Sequence, residues 1–156
     1  MKTAFATGDG KSFTNRHFGD NDYYYIYDIS ESESRFIKRI SNTAAAIEEK
    51  VHADSGKAKG VTGLLKEENV KIVVSKIYGP NIKRIRKNFV CVLMNNTISD
   101  SINIIMENFK DISDEWEKGE ERKHINLKLK SEEEETIERW NDGARERLGD
   151  EEKNVE

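Results

Sequence analysis

The sequence has a single cysteine, a single proline, three histidines and no long apolar run in its 156 residues. Each scarcity excludes something. Cys91 alone can form neither an internal disulfide nor a cysteine-only metal site, and a reducing cytoplasm suits such a chain. No stretch reaches the ~18 apolar residues of a membrane span, and the N-terminus has no apolar core of a secretory signal. A membrane partner and export are therefore not expected. Carboxylates are missing from "KTAFAT", the first strand-like run, and Asp9 and Asp28 alone do not build a two-metal nuclease centre. No Ser/His/Asp or Cys/His pair points to a covalent nucleophile, so no enzyme is expected.

Charge, by contrast, is plentiful: 36% of residues are charged and only 35% apolar. It is also unevenly spread. Residues 1–110 hold 17 Lys/Arg against 13 Asp/Glu, and residues 111–156 hold 9 against 17. The length allows one domain with a core and an appendage. The expected organisation is a mildly basic domain over 1–110 and an acidic, partly helical extension over 111–156.

Periodicity divides the first part again. "KTAFAT" (2–7), "YYYIYDI" (23–29) and "RFIKRIS" (35–41) read as strands, the last two alternating and joined by the short turn "ESES" as an antiparallel hairpin. Residues 42–55 are ambiguous between a helical turn and a loop. After Gly56 the pattern becomes strand–helix. Val61, Leu64 and Leu65 mark a helix, and "VKIVVSKIY" (70–78) a strand covered on both faces. Gly79 turns the chain, Pro80 suits a first helical position, and Ile82, Ile85 and Phe89 form the next stripe. "VCVLMN" (90–95) is a second buried strand. Ile102, Ile105, Met106, Phe109, Ile112 and Trp116 mark one long closing helix. The fold class is α/β, a mixed five-stranded sheet with helices on both faces.

In the extension, "KHINLKLK" alternates like an edge strand. A capping box from Ser131 to Glu134 opens a helix with a narrow stripe of Ile137, Trp140, Ala144 and Leu148. Such a helix is expected to dock on its own domain, on a second copy in a homodimer, or on a protein partner.

"AFATGDGKSFTNRHFGDNDYYYIYDI" followed by "VHADSGKAKGVTGLLKEENVKIVVSKIYGPNIKRIRKNF" resembles the NifB/NifX-type family of dinitrogenase iron–molybdenum cofactor biosynthesis proteins. The matching features lie within residues 1–110. They are the Gly/Asp turn after the first strand, "HFG" before the second, a histidine ahead of the first helix and "GP" after the fourth strand. The resemblance implies a ribonuclease H-like fold. It also implies binding or carriage of an iron–sulfur or iron–molybdenum-type cofactor precursor, in which His17, Phe18 and Gly19 carry over and His52 is a second match. Nitrogen fixation is the setting the family name implies.

The residues support the same reading locally. An imidazole in a loop, His17, is a good borderline ligand for iron. Phe18 could shield one side of a cluster, and Gly19 would allow close backbone approach. Lys11 and Arg16 would line an anion-accepting rim. His52 would be a second metal ligand if its loop folds towards His17, and is otherwise a solvated loop histidine. Cys91 reads as a small buried residue, and His124 has no visible partner. "GDGK" lacks the full phosphate-loop spacing and reads as a tight turn. "KRIRK" (83–87) is a basic face, but the acidic net charge and missing carboxylates weigh against nucleic acid. The expectation is a small cytoplasmic carrier with a labile cluster received from a delivery protein. The alternative is a metal-free interaction module that docks a partner through its tail.

Overall fold

A computed structural model describes residues 1–43, 54–129 and 136–144. Its central strand is β1 (Lys2–Thr7), buried from Thr3 to Thr7. Neighbours of opposite sense flank it. On one side β2 (Tyr23–Ile29) pairs antiparallel, with Phe5 opposite Tyr25, and β3 (Ser34–Ser41) pairs antiparallel with β2. On the other side β4 (Val70–Ser75) runs parallel, with Phe5 opposite Val74, and β5 (Val90–Leu93) runs parallel to β4. The hairpin and the parallel units lie where the change of hydrophobic period predicts them.

The strand count differs from the expected five. A short sixth strand, β6 (Ile125–Asn126), pairs parallel with β5 and completes the order β3-β2-β1-β4-β5-β6. It comes from the alternating "KHINLKLK". Beyond it, Leu127 donates its N–H to the Leu93 carbonyl at 3.0 Å. The Asn95 side-chain amide then exchanges two hydrogen bonds with the Leu129 backbone, at 3.0 and 2.8 Å.

Helices cover both faces. α1 (Asp54–Glu67) sends Val61 and Leu65 onto Ala4, Ala6, Ile26 and Val73, where the small alanines of β1 leave room. The single turn α2 (Ile82–Ile85) and Phe89 extend that layer. Pro80 precedes the N-cap Asn81 instead of occupying the first helical position. On the opposite face, α3 (Ile98–Glu107) and α4 (Phe109–Glu117) bury Ile98, Ile105 and Ile112 against Phe5, Ile72, Val74 and Val92.

The predicted closing helix is thus two helices. The break is Asn108, at φ −105° and ψ 15°, whose side-chain amide donates to the Ile104 carbonyl at 2.8 Å. Asparagine competes in this way with the backbone ladder, while the apolar stripe continues undisturbed across the kink. Among the described residues no helix is long and apolar enough to cross a membrane.

Arg122 fastens the segment after α4. It is buried, donates from Nε to the Trp116 carbonyl (3.0 Å) and from Nη1 to the Lys87 carbonyl (2.9 Å), and its guanidinium lies 4.0 Å from the centroid of the Trp116 ring. Truncation would leave two carbonyls without their donors. Arg122→Ala is expected to lower stability by about 1–3 kcal/mol. The check is urea unfolding: the midpoint should fall with the slope unchanged.

Candidate functional site

The parallel strands β1, β4 and β5 end on the same side of the sheet. From there the chain leaves β1 towards β2 and leaves β4 towards β5, in opposite directions. In α/β sheets such a divergence opens a crevice at the carboxyl ends of the strands. Two isolated bridges lace the loops there: Ser12 with Thr97, and His17 with Ile77.

The loop after β1 begins with a closed turn. Thr7 Oγ1 accepts the N–H groups of Asp9 and Gly10 and donates to the Ser12 carbonyl at 2.6 Å. Asp9 Oδ1 accepts the N–H groups of Lys11 (2.8 Å) and Ser12 (2.9 Å). Gly10 has φ +77°, and a side chain there would strike the Tyr25 ring. These N–H groups are used within the turn itself, so "GDGK" offers no phosphate cradle.

"HFG" forms the second feature. Phe18–Asp20 is a 3-10 turn whose start, the His17 carbonyl, accepts the Asp20 N–H and the Asn21 side-chain amide, both at 2.9 Å. Phe18 is 1% exposed and stacks on Tyr78, with centroids 5.4 Å apart at 25°, while Tyr24 lies 5.3 Å away. Tyr24 donates to the Phe18 carbonyl at 2.7 Å. The Tyr78 hydroxyl lies 2.8 Å from the carbonyls of Val73 and Val92. Burial pushes both phenols well above their ordinary range, so they remain protonated donors. Asn42 closes the turn from β3, its amide donating to the carbonyls of Gly19 and Asn21 at 2.8 Å each.

His17 is exposed, at the rim of this anchored turn. Its ring rests against Gly79, which has φ +73°. A Cβ on Gly79 would lie 2.6 Å from His17 Nδ1 and 2.8 Å from Cε1, so a side chain there would displace the imidazole from this position. Lys76 Nζ donates to Asn15 Oδ1 at 2.7 Å and ties the segment before His17 to the end of β4.

The structure therefore gathers His17, Phe18 and Gly19 in one turn, with Phe18 facing the core as its support rather than the solvent. Arg16 stands next to His17 but is paired with Asp22 at 3.3 Å on the surface. Lys11 lies at the other end of the loop, its carbonyl accepting the Ile98 N–H at the start of α3. His52 lies outside the described residues. Cys91 is fully buried in β5, and burial pushes its thiol well above the ordinary range, which disfavours the thiolate a metal needs. His124 is exposed. Among the described residues no group of three His, Cys, Asp or Glu could hold a metal ion. Sequence reasoning missed Asn42, Lys76 and Tyr78. It read Gly79 only as a turn.

These features define an α/β fold that displays the His17 imidazole at the carboxyl ends of its parallel strands. The chain belongs to the family described as "Dinitrogenase iron-molybdenum cofactor", whose model matches residues 1–110. Among solved structures it is similar to a Methanocaldococcus jannaschii protein assigned provisionally as a dinitrogenase. The two share 24% identity over 69% of this chain and 89% of that one, with a TM-score of 0.49. A comparison with curated proteins finds no match.

The first turn makes a pH prediction. The Ser12 N–H first, then that of Lys11, holds the Asp9 carboxyl below its ordinary value of 3.8. A depressed value means that the folded state favours the carboxylate. The turn's contribution is therefore complete above the unfolded value and is lost as pH falls through the folded one. The Ser12 and Lys11 amide resonances should shift with a midpoint below 3.8. Asp9→Asn should abolish that transition.

Proposed function

We propose that this protein binds and hands on an iron–sulfur or iron–molybdenum-type cofactor precursor, as an accessory to metallocofactor assembly and without catalysing a reaction itself. The observation that carries the reading is His17. In a chain of this family, an exposed imidazole sits on a turn anchored by Phe18, Tyr24 and Asn42 at the sheet end where α/β folds bind ligands. The strand order, with β2 reversed beside β1, supports a ribonuclease H-like classification. Lys11 and Lys76 place cations on these loops, although Asp9, Asp20 and Asp22 balance them and Arg16 is paired with Asp22. His52 is the candidate for a second ligand. A reducing cytoplasm is the compartment in which such a cargo persists.

A cluster held through so few protein ligands is labile. Protein purified without oxygen and reconstituted with ferrous iron and sulfide should show charge-transfer absorption and bound iron, and should lose both in air. His17→Ala should lose uptake while retaining the far-UV circular dichroism and unfolding midpoint of the parent. Undiminished iron uptake by a folded His17→Ala variant would refute the reading.

A second reading rests on the tail. Residues 136–144 are helical, with Ile137 53% and Trp140 68% exposed. Two large apolar groups three residues apart on an open helix face suit docking to a protein, either a delivery partner or a second copy. With Trp116→Phe as background, Trp140 fluorescence should be that of a water-exposed indole in dilute protein. It should shift to the blue when the partner binds, or with rising concentration if the partner is a second copy.

A further inference from the structure

We propose that two copies of this chain associate by exchanging tails. The helical segment 136–144 of each copy seats Ile137 and Trp140 on an aromatic sheet face of the other, built from Tyr25 and Tyr27 of β2 and Phe36 of β3. This deepens the reading of the tail as a docking element and rests on it. Among the described residues the exposed large apolar side chains are Phe36, Leu129, Ile137 and Trp140. One lies on the sheet, and three lie at or beyond the end of β6. Phe36 stands opposite Tyr27 in the β2–β3 register, its ring 5.3 Å from that of Tyr27 and 5.9 Å from that of Tyr25. The two tyrosines are half-buried, and Phe36 is 50% exposed. Helices α3 and α4 cover this face over β1, β4 and β5, and Phe36 lies beyond them. The sheet and the tail thus each present an apolar surface that the single chain leaves in water.

The sheet order decides whose tail fits. The tail leaves the body at Leu129, which Asn95 holds at the β6 edge, and Phe36 lies on β3 at the opposite edge. Following the register from Phe36 through Tyr27, Thr3 and Ile72 to Val90, Asn95 lies further along the strand direction as well as across the sheet. Strand spacings of ~4.8 Å and a rise of ~3.3 Å per residue put Leu129 roughly 29 Å from Phe36. The chain from Leu129 to Ile137 spans about 27 Å even when fully extended. Helices α3 and α4, each about 10 Å thick, also stand across the direct path. A chain's own tail therefore does not reach this face, and a second copy's tail does. Charge favours the same pairing. Residues 131–156 hold 4 Lys/Arg against 11 Asp/Glu, so two tails repel each other. Strand β3 has Arg35, Lys38 and Arg39 and no carboxylate of its own. Arg39 is at the aromatic face, its guanidinium 4.5 Å from the centroid of the Tyr23 ring. Exchange between two copies is reciprocal, so it closes as a two-fold dimer. It uses the face of the sheet and not its charged edge.

The test uses the full-length chain. Analytical ultracentrifugation of the parent protein should show a monomer–dimer equilibrium that added salt weakens. Phe36→Ser and Trp140→Ala should each weaken dimerisation by about tenfold or more, the scale of losing a buried aromatic anchor, with the far-UV circular dichroism unchanged. The decisive arm mixes the two variants. Trp140→Ala protein keeps its face and Phe36→Ser protein keeps its tail, so the mixture regains one of the two contacts. With Trp140→Ala labelled with 15N and Phe36→Ser unlabelled, the β2 and β3 amide resonances should shift on mixing. They should not shift when unlabelled Trp140→Ala is added instead. A parent protein that stays monomeric at high micromolar concentration overturns the inference whatever the variants do, and leaves the docking reading with a delivery protein alone. A Phe36→Ser protein that dimerises like the parent overturns it too, since the tails would then pack on each other. So does a labelled Trp140→Ala chain that ignores the added Phe36→Ser chain. If Trp140 fluorescence nevertheless shifts to the blue with concentration, the docking reading stands and the choice of surface falls, which separates the two failures.

Discussion

Phe18 lies between Tyr24 and Tyr78 beneath the sheet end, and its burial determines what the neighbouring residues can do. A ring of that size inside the core contributes roughly 1.5–3 kcal/mol if withdrawn from water. The 3-10 turn that carries it must then close over the core, and each of its carbonyls needs a donor. Tyr24, Asn21 and Asn42 supply them. With Phe18 directed inward, the residue before it is left at the rim. His17 is exposed for that reason, and its main chain is immobilised for the same reason. The aromatic anchor and the exposed imidazole are two consequences of one packing requirement.

The same logic of satisfied carbonyls sets how far the packed body extends. Past α4, Arg122 takes up the carbonyls of Trp116 and Lys87, and β6 then adds to β5. Asn95 continues the pairing with its side chain where β5 itself has ended. The sheet edge at β5 is thereby covered through Leu129. The other edge, β3, is eight residues long and mostly exposed, and it carries Arg35, Lys38 and Arg39. Charges on an edge strand discourage further sheet pairing. Lys38 is in addition tied to Glu68 at 2.6 Å, which joins the edge to the end of α1.

Much of this was legible in the sequence because it depends on periodicity. Alternation over 23–29 and 35–41 and the unbroken apolar run of 70–75 report how many faces of each strand are covered. The sequence also marked "HFG" as a unit. What it could not show arises from contacts between distant residues. Asn42 is 23 positions from the Gly19 carbonyl it bonds, and nothing in its own neighbourhood announces that role. Gly79 reads as a turn residue because a positive φ is the commoner need for glycine. Its second constraint, the His17 ring, exists only once β1 and β4 are side by side. Asn108 was hidden by a stripe that runs through it, since a kink of one residue need not disturb which side chains face the core.

On the proposed reading, the stiffness of the turn compensates for the poverty of the donor set. A chelate gains affinity because each further ligand binds with its entropy already lost. A single imidazole has no such advantage, and a floppy one would also lose rotamer freedom on binding, about 0.5–1.5 kcal/mol for a typical interface side chain. The bridge of its backbone to Ile77 fixes the main chain of His17 before the cargo arrives. It does not make binding irreversible. On that reading, a cluster held by few protein ligands would keep open iron sites, through which an acceptor with more donors would add before the His17 bond is broken. A richer site would slow that exchange, so the proposed carrier role calls for few protein ligands.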